Sequence, residues 1–124
     1  MDPIILGPGE GRAYNLGSMR GVFKLDSDGS CASEWSVEPG GPGPGPHQHE
    51  AYEELFLVTA GTMSFLVGEQ WVDAAAGTFL RVPAGVTHDF TNRTSEPARI
   101  FNVSVPGGFE AEFAGWGAKY REGA

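Results

Sequence analysis

Short apolar runs recur along the chain, and each is bounded by Gly, Pro, Asp or Asn. Most are rich in β-branched and aromatic residues, as strands are. The pattern predicts strands at residues 21–25, 33–37, 54–58, 62–67, 70–72, 78–82, 88–92 and 99–105. Hairpin signals follow two of these strands, namely Asp28-Gly29 and Gly68-Glu69. The chain is therefore expected to be all-β, with an antiparallel sandwich or barrel.

The C-terminal segment has a different pattern. Phe109, Phe113, Trp116 and Tyr120 are spaced four, three and four residues apart, which favours one face of a short helix. We expect this short C-terminal helix or aromatic tail to pack over the end of the barrel or against a second subunit.

The composition indicates one globular domain over residues 1–124. Hydrophobic residues make up 40% of the chain and charged residues 19%, which is enough apolar material to form a core. The formal charge of −8 repels phosphate backbones and anionic membrane surfaces. Neither nucleic acid nor a membrane is therefore an expected partner.

The cysteine content points to a reducing environment. Cys31 is the single cysteine, so no internal disulfide can form, and the run Ile4-Ile5-Leu6 is too short for a signal peptide or a membrane span. We expect a cytoplasmic location. Cys31 is interpreted as a small core residue rather than as a nucleophile.

Two histidines follow a segment of Gly and Pro. His47 and His49 are two residues apart, so both side chains lie on one side of an extended chain, whereas on a helix they would diverge by about 200°. Pro46 is expected to restrict Gly45 and hold the chain extended on entry. The Gly/Pro segment, residues 39–46, suits a rim or an edge rather than a central strand.

A carboxylate can join these histidines from three nearby positions. Glu50, Glu53 and Glu54 are all close enough in sequence. Glu54 differs in parity from the histidines, so it shares their face only if the chain bends or bulges between residues 50 and 53.

The third histidine, His88, lies beyond a predicted turn. Pro83 and Gly85 mark that turn. On the strand that follows, His88 shares a face with Phe90 and Asn92.

Together these residues resemble the two motifs of the cupin superfamily, whose members are small jelly-roll β-barrels. The first motif is matched over residues 41–61 by Gly41, His47, His49, Glu54 and Gly61. The second is matched over residues 77–92 by Gly77, Pro83, Gly85, His88 and Asn92. Six residues separate Glu54 from Gly61, as the first motif requires, so the resemblance selects Glu54 among the three carboxylates. The segment after the last strand is similar to the small cupins grouped with quercetin dioxygenases.

The resemblance implies that His47, His49, Glu54 and His88 bind one divalent metal ion inside the barrel. This mixed nitrogen and oxygen set suits iron, manganese, nickel, copper or zinc. Strand parity further predicts an apolar substrate-binding wall, composed of Phe56, Val58 and Phe90. Arg81 and Arg99 are expected on the solvated outer face.

The quercetin dioxygenase-like resemblance implies a metal-dependent dioxygenase acting on a small aromatic or enolic compound, with Glu54 also serving as a catalytic base. Two alternatives stay open at this point. One is a non-redox isomerase, epimerase or lyase that uses the ion as a Lewis acid; the other is a small-molecule-binding cupin without catalysis. The resemblance also implies a homodimer, since pairing of edges or exchange of an N-terminal strand protects open sheets.

Overall fold

The computed structural model of this protein describes residues 2–113. These residues form strands with a helical turn at 109–113. The strands are β1 (Arg12–Leu16), β2 (Met19–Asp26), β3 (Cys31–Val37), β4 (Glu53–Ala60), β5 (Thr62–Val67), β6 (Gln70–Ala75), β7 (Phe79–Val82), β8 (His88–Thr91) and β9 (Ala98–Val105).

The strands form two antiparallel sheets. The six-stranded sheet has the order β1-β2-β3-β9-β4-β7 and the three-stranded sheet has the order β6-β5-β8. The two sheets do not close into one continuous barrel, but their inner faces contribute to a single core cluster. The predicted all-β, antiparallel jelly-roll class is confirmed.

All the predicted strands are present, with bounds that differ by a few residues at most. The two-residue turn Gly68-Glu69 joins β5 to β6, with Val67 opposite Gln70, and Asp28-Gly29 lies in the link between β2 and β3. The sequence pattern missed β1. Its burial alternates weakly, and among the described strands it pairs only with β2, at the sheet edge, so little apolar periodicity marks it.

Aromatic rings fill the end of the core nearest the C-terminal helical turn. Phe23 is fully buried, and its ring packs against Tyr14, Trp35, Phe109 and Phe113. The start of the predicted helix is therefore confirmed for residues 109–113, where it covers the core. The other two predicted aromatic positions, Trp116 and Tyr120, lie outside the described residues.

The Gly/Pro segment lies along an edge, as expected. Pro42 pairs with Thr91 and His47 pairs with His88 as isolated antiparallel bridges. Because β8 is the end strand of the three-stranded sheet, the segment runs beside its open edge. It thereby brings His47 next to His88.

Within the described residues, no helix has the length and apolar character needed to cross a bilayer. Cys31 is fully buried at the start of β3, as predicted for a core residue. Burial raises the pKa of its thiol to about 12, so the reactive thiolate is disfavoured.

Candidate metal centre

Four side chains from three parts of the fold converge on one point. His47 and His49 come from the segment beside β8, Glu54 comes from β4, and His88 begins β8. One potential ligand atom of each residue lies within 4.8 Å of all the others. The distance between opposite ligands of one first-row metal ion is about 4.2 Å, so the group has the size of a mononuclear site.

The backbone around the histidines determines which ring nitrogen faces inward. His47 Nδ1 is 2.7 Å from the Gly45 carbonyl oxygen, and His88 Nδ1 is 2.9 Å from the Val86 carbonyl oxygen. A carbonyl only accepts, so each Nδ1 carries the proton and donates it. In the neutral rings, each Nε2 therefore presents a lone pair suited to a metal ion.

The positive φ of Gly45 departs from the predicted extended geometry. Its φ is 88°, so the chain turns here instead of continuing straight into Pro46. The turn lets the Gly45 carbonyl reach back to His47, while the Gly45 N–H donates to Asp89 Oδ1 at 3.0 Å. Only the route of the chain differs from the prediction, because His47 and His49 still reach the same site.

The bend predicted before Glu54 is present at residues 50–51. It gives Glu54 a buried, inward position, while Glu53 pairs with Arg81 at 2.6 Å and Glu50 accepts a hydrogen bond from Gln48. The group of potential ligands includes Glu54 and neither of the other two carboxylates. Arg81, like Arg99, is exposed as expected.

The distances among the four potential ligands show whether these residues suit a cation. His88 Nε2 lies 2.9 Å from Glu54 Oε2, and His49 Nε2 lies 3.5 Å from Glu54 Oε1. A neutral His88 that donates from Nδ1 turns a lone pair toward the carboxylate, and its buried Nε2 has no hydrogen-bond partner among the described residues. The Nε2 lone pair and the carboxylate repel each other, and a proton on His88 relieves this repulsion at one contact only. A divalent cation relieves it for all four residues, so the set fits a metal ion.

Burial and charge act differently on the three imidazoles. Burial lowers the pKa of both His47 and His49, which favours their neutral, ligating form. Burial also acts to lower the pKa of His88, but the adjacent Glu54 carboxylate outweighs it and the net pKa is raised. His88 is therefore the histidine whose protonation competes most directly with a metal ion.

An apolar cavity of about 20 Å³ adjoins this group. Such a volume holds about one water-sized molecule. Its lining is mostly aromatic and contains Met19, Trp35, Pro44, His47, Glu54, Phe56, Phe90, Asn102, Phe109 and Phe113. The predicted wall residues Phe56 and Phe90 line the cavity, whereas Val58 is buried in the core outside its lining. Contact of these three residues with a substrate stays a prediction.

Sequence reasoning missed two residues that contact the group from outside. The Tyr52 hydroxyl lies 3.0 Å from His49 Nδ1 and donates to Glu112 Oε2 at 2.5 Å. Burial, and then the hydrogen bond to Glu112, raise the pKa of Tyr52, so the phenol stays neutral. Because 60 residues separate Tyr52 from Glu112, no local spacing could have revealed the pair.

Residues 33–104, more than half of the chain, match the family model described as Cupin domain. Among curated proteins, none matches the chain at a significant level. The solved structure of TT1209 from Thermus thermophilus is 26% identical, with a TM-score of 0.69 over 75% of this chain and 88% of that one.

Two further solved structures share the fold at lower identity. The polyketide cyclase RemF from Streptomyces resistomycificus is 20% identical, with a TM-score of 0.71 over 82% of this chain and 78% of that one. A sugar phosphate isomerase from Silicibacter pomeroyi is 22% identical, with a TM-score of 0.66 over 73% of this chain and 60% of that one. At these identities the likeness concerns the fold alone.

Proposed function

The chain belongs to the cupin domain family, and on that basis we propose that it is a metal-dependent enzyme of the dioxygenase type. Its substrate is a small aromatic or enolic compound, as in the quercetin dioxygenase-like group that it resembles. The observation that carries the proposal is the convergence of His47, His49, Glu54 and His88 beside an apolar cavity.

The four residues would hold one ion of iron, manganese, nickel, copper or zinc through three imidazole nitrogens and a carboxylate oxygen. When bound, the ion supplies Lewis-acid and, for the redox-active metals, electron-transfer chemistry. The Nδ1 hydrogen bonds of His47 and His88 to backbone carbonyls keep their Nε2 lone pairs aimed at the site. The chain's own hydrogen bonds thus support metal binding, in addition to its ligand types.

The cavity lining favours a neutral, apolar substrate. Among the described lining residues, the titratable groups are His47 and Glu54, and no Lys or Arg is present. A phosphorylated sugar would meet no cation of the chain there, whereas an aromatic ring can pack on Phe56 and Phe90. Because the cavity holds about one water-sized molecule, entry of a ring requires side chains such as Phe109 to move.

Glu54 can accept a proton from the substrate as well as bind the ion. It lies in the cavity lining, so one carboxylate oxygen can accept the proton of an enol or phenol brought against the wall. The surrounding aromatic side chains exclude water and orient the ring. The same residue therefore serves as ligand and base in the proposed reaction.

A non-redox isomerase, epimerase or lyase is the second candidate, and it uses the same residues. RemF and the sugar phosphate isomerase, both of the same fold, are named as a cyclase and an isomerase, so this fold is compatible with non-redox reactions. A protein that binds small molecules without turnover is the third. Oxygen consumption separates the first candidate from the other two.

We expect the protein to consume dioxygen with at least one flavonol, catechol or diketone when loaded with iron, manganese, nickel or copper. The measurement is oxygen-electrode uptake across a panel of compounds and metals, with the zinc-loaded and metal-free proteins as controls. Substrate conversion under strict anaerobiosis would instead favour the non-redox candidate. Tight binding with no conversion in either condition would contradict both enzymatic proposals.

We also propose that the protein is a homodimer. The proposal is supported by an apolar row on the outer face of the six-stranded sheet, formed by Phe101, Leu57 and Phe79 side by side on β9, β4 and β7. Leu57 is 40% exposed and Phe79 is 61% exposed. A second copy can cover this row and the short open edge of β7 at once.

Phe79→Lys is expected to convert the dimer into a monomer, because it places a charge in the proposed contact, at the most exposed apolar residue of the row. Light scattering during size-exclusion chromatography measures the mass. Val72→Lys is a matched control, since Val72 is 45% exposed on β6 of the other sheet and should leave the mass unchanged. A wild-type protein with the mass of one chain contradicts the proposal.

We propose a reducing, cytoplasmic setting. The buried Cys31 thiol, with its raised pKa, supports it, because a lone core thiol needs no oxidising compartment.

A further inference from the structure

The C-terminal helical turn contacts the back of one proposed metal ligand. Glu112 lies on this turn, and its Oε2 accepts the Tyr52 hydroxyl proton at 2.5 Å. The Tyr52 oxygen in turn lies 3.0 Å from His49 Nδ1. Since a phenol has one proton and Tyr52 donates it to Glu112, its oxygen accepts from His49 Nδ1–H. The three groups form a directed chain from carboxylate to imidazole.

The ring contacts fix the same histidine sterically. His49 stacks on Tyr52 with centroids 4.6 Å apart, and Phe109 of the helical turn meets the His49 ring edge-on at 5.3 Å. The helical turn is itself held against β1, because Arg12 donates to both carboxylate oxygens of Glu110 at 2.7–3.0 Å. His49 is thus bounded on two sides by groups that depend on the position of the turn.

We propose that Tyr52 and Glu112 are positioning residues that hold His49 in the Nδ1–H tautomer, so that its Nε2 lone pair faces the metal site only while the C-terminal helical turn is seated. The proposal rests on the proposed metal site and adds a control of that site by the helical turn. A hydrogen bond from the outer nitrogen of a ligating imidazole fixes its orientation and raises its basicity, and loss of such a partner typically costs about 10–100-fold in metal affinity.

The two residues are not expected to contribute equally. Tyr52 is buried and lies 3.0 Å from His49 Nδ1. Glu112 Oε1 lies farther from the same nitrogen, at 3.8 Å, and its side chain is 43% exposed, so its charge is partly screened by water. Tyr52→Phe should therefore weaken metal binding by about 10–100-fold, and Glu112→Ala by an amount near the lower end of that range. Because both act through His49 Nδ1, the double variant should bind no more weakly than Tyr52→Phe alone.

The test is a cobalt(II) titration of the full-length protein, followed by the visible absorption of the bound ion, on wild type, both single variants and the double variant. Tyr52→Phe keeps the ring that stacks on His49, so folding should persist and is checked by circular dichroism. Glu50→Ala is a matched control, because that exposed carboxylate accepts its hydrogen bond from Gln48. The Glu50→Ala substitution should leave the cobalt affinity and the absorption spectrum of the bound ion unchanged.

A second readout needs no metal. Long-range proton–nitrogen correlation spectra of the metal-free proteins should show His49 as the Nδ1–H tautomer in wild type and in Glu50→Ala, and a mixture of tautomers in Tyr52→Phe. Wild type that binds no cobalt overturns the metal site and this inference together. Wild type that binds cobalt while Tyr52→Phe binds it with the same affinity overturns the inference alone.

Discussion

Glu54→Ala and His49→Ala are each expected to lose the one equivalent of metal that we expect the wild-type protein to bind. Glu54 is the buried anion among three imidazoles, so its removal takes away both a donor and the negative charge that attracts the cation. Loss of a ligand should cost more than the 10–100-fold that is typical of an outer hydrogen-bond partner. Elemental analysis of the purified proteins measures the loss and identifies the ion.

The control for this experiment is Glu50→Ala, which removes an exposed carboxylate four residues away. It should retain the full metal content. Thermal unfolding gives an independent check, since metal at 100 times its Kd adds about 2.7 kcal/mol to wild type and should add almost nothing to Glu54→Ala. Wild-type metal content in either ligand variant would contradict the assignment of that ligand.

The site was predictable where its geometry follows from local spacing. The two-residue spacing of the histidines places both on one side of an extended chain, and the bend at residues 50–51 brings Glu54 into line with them. Spacing alone, however, left Glu50, Glu53 and Glu54 as alternatives. Both the choice of Glu54 and the place of the distant His88 came from resemblance to the family motifs. In the structure, the backbone pairing of His47 with His88 brings His88 into the site. No sequence pattern predicts that pairing.

What escaped prediction depends on contacts between distant segments. Tyr52 belongs to the predicted bend and Glu112 is one of many carboxylates, yet the fold places their side-chain oxygens 2.5 Å apart. Asp89 has the parity of an outward residue, but it is buried and accepts hydrogen bonds from the Gly45 and Phe90 N–H groups. Parity alone assigns a face; it does not show which segment covers that face.

The Gly/Pro segment that leads to His47 is tied closely to the strand that carries His88. At Gly43, an added Cβ atom would lie within 3.0 Å of the Phe90 carbonyl oxygen, closer than Cβ atoms come in proteins, and 3.1 Å from the Phe90 ring. Gly43 is therefore required by space rather than by its backbone angle. Both neighbouring bridges, at Pro42 and at His47, depend on this approach.

Gly43→Ala should destabilise the metal-free protein by about 3 kcal/mol or more, the upper end of overpacking costs, because the atom in the way is backbone and cannot rotate aside. The displaced segment should also draw His47 away from His88 and weaken metal binding. Urea unfolding and the cobalt titration measure the two effects.

Gly29→Ala is the matched control for that substitution. Gly29 lies in the link between β2 and β3 with open space around its Cα, so the change should stay within about 1 kcal/mol of wild type. If Gly43→Ala proved as stable as this control and bound cobalt equally well, the close packing of the segment against β8 would be wrong. Destabilisation together with weaker cobalt binding would mean that the Gly/Pro segment aligns His47 with His88, two proposed metal ligands from different parts of the chain.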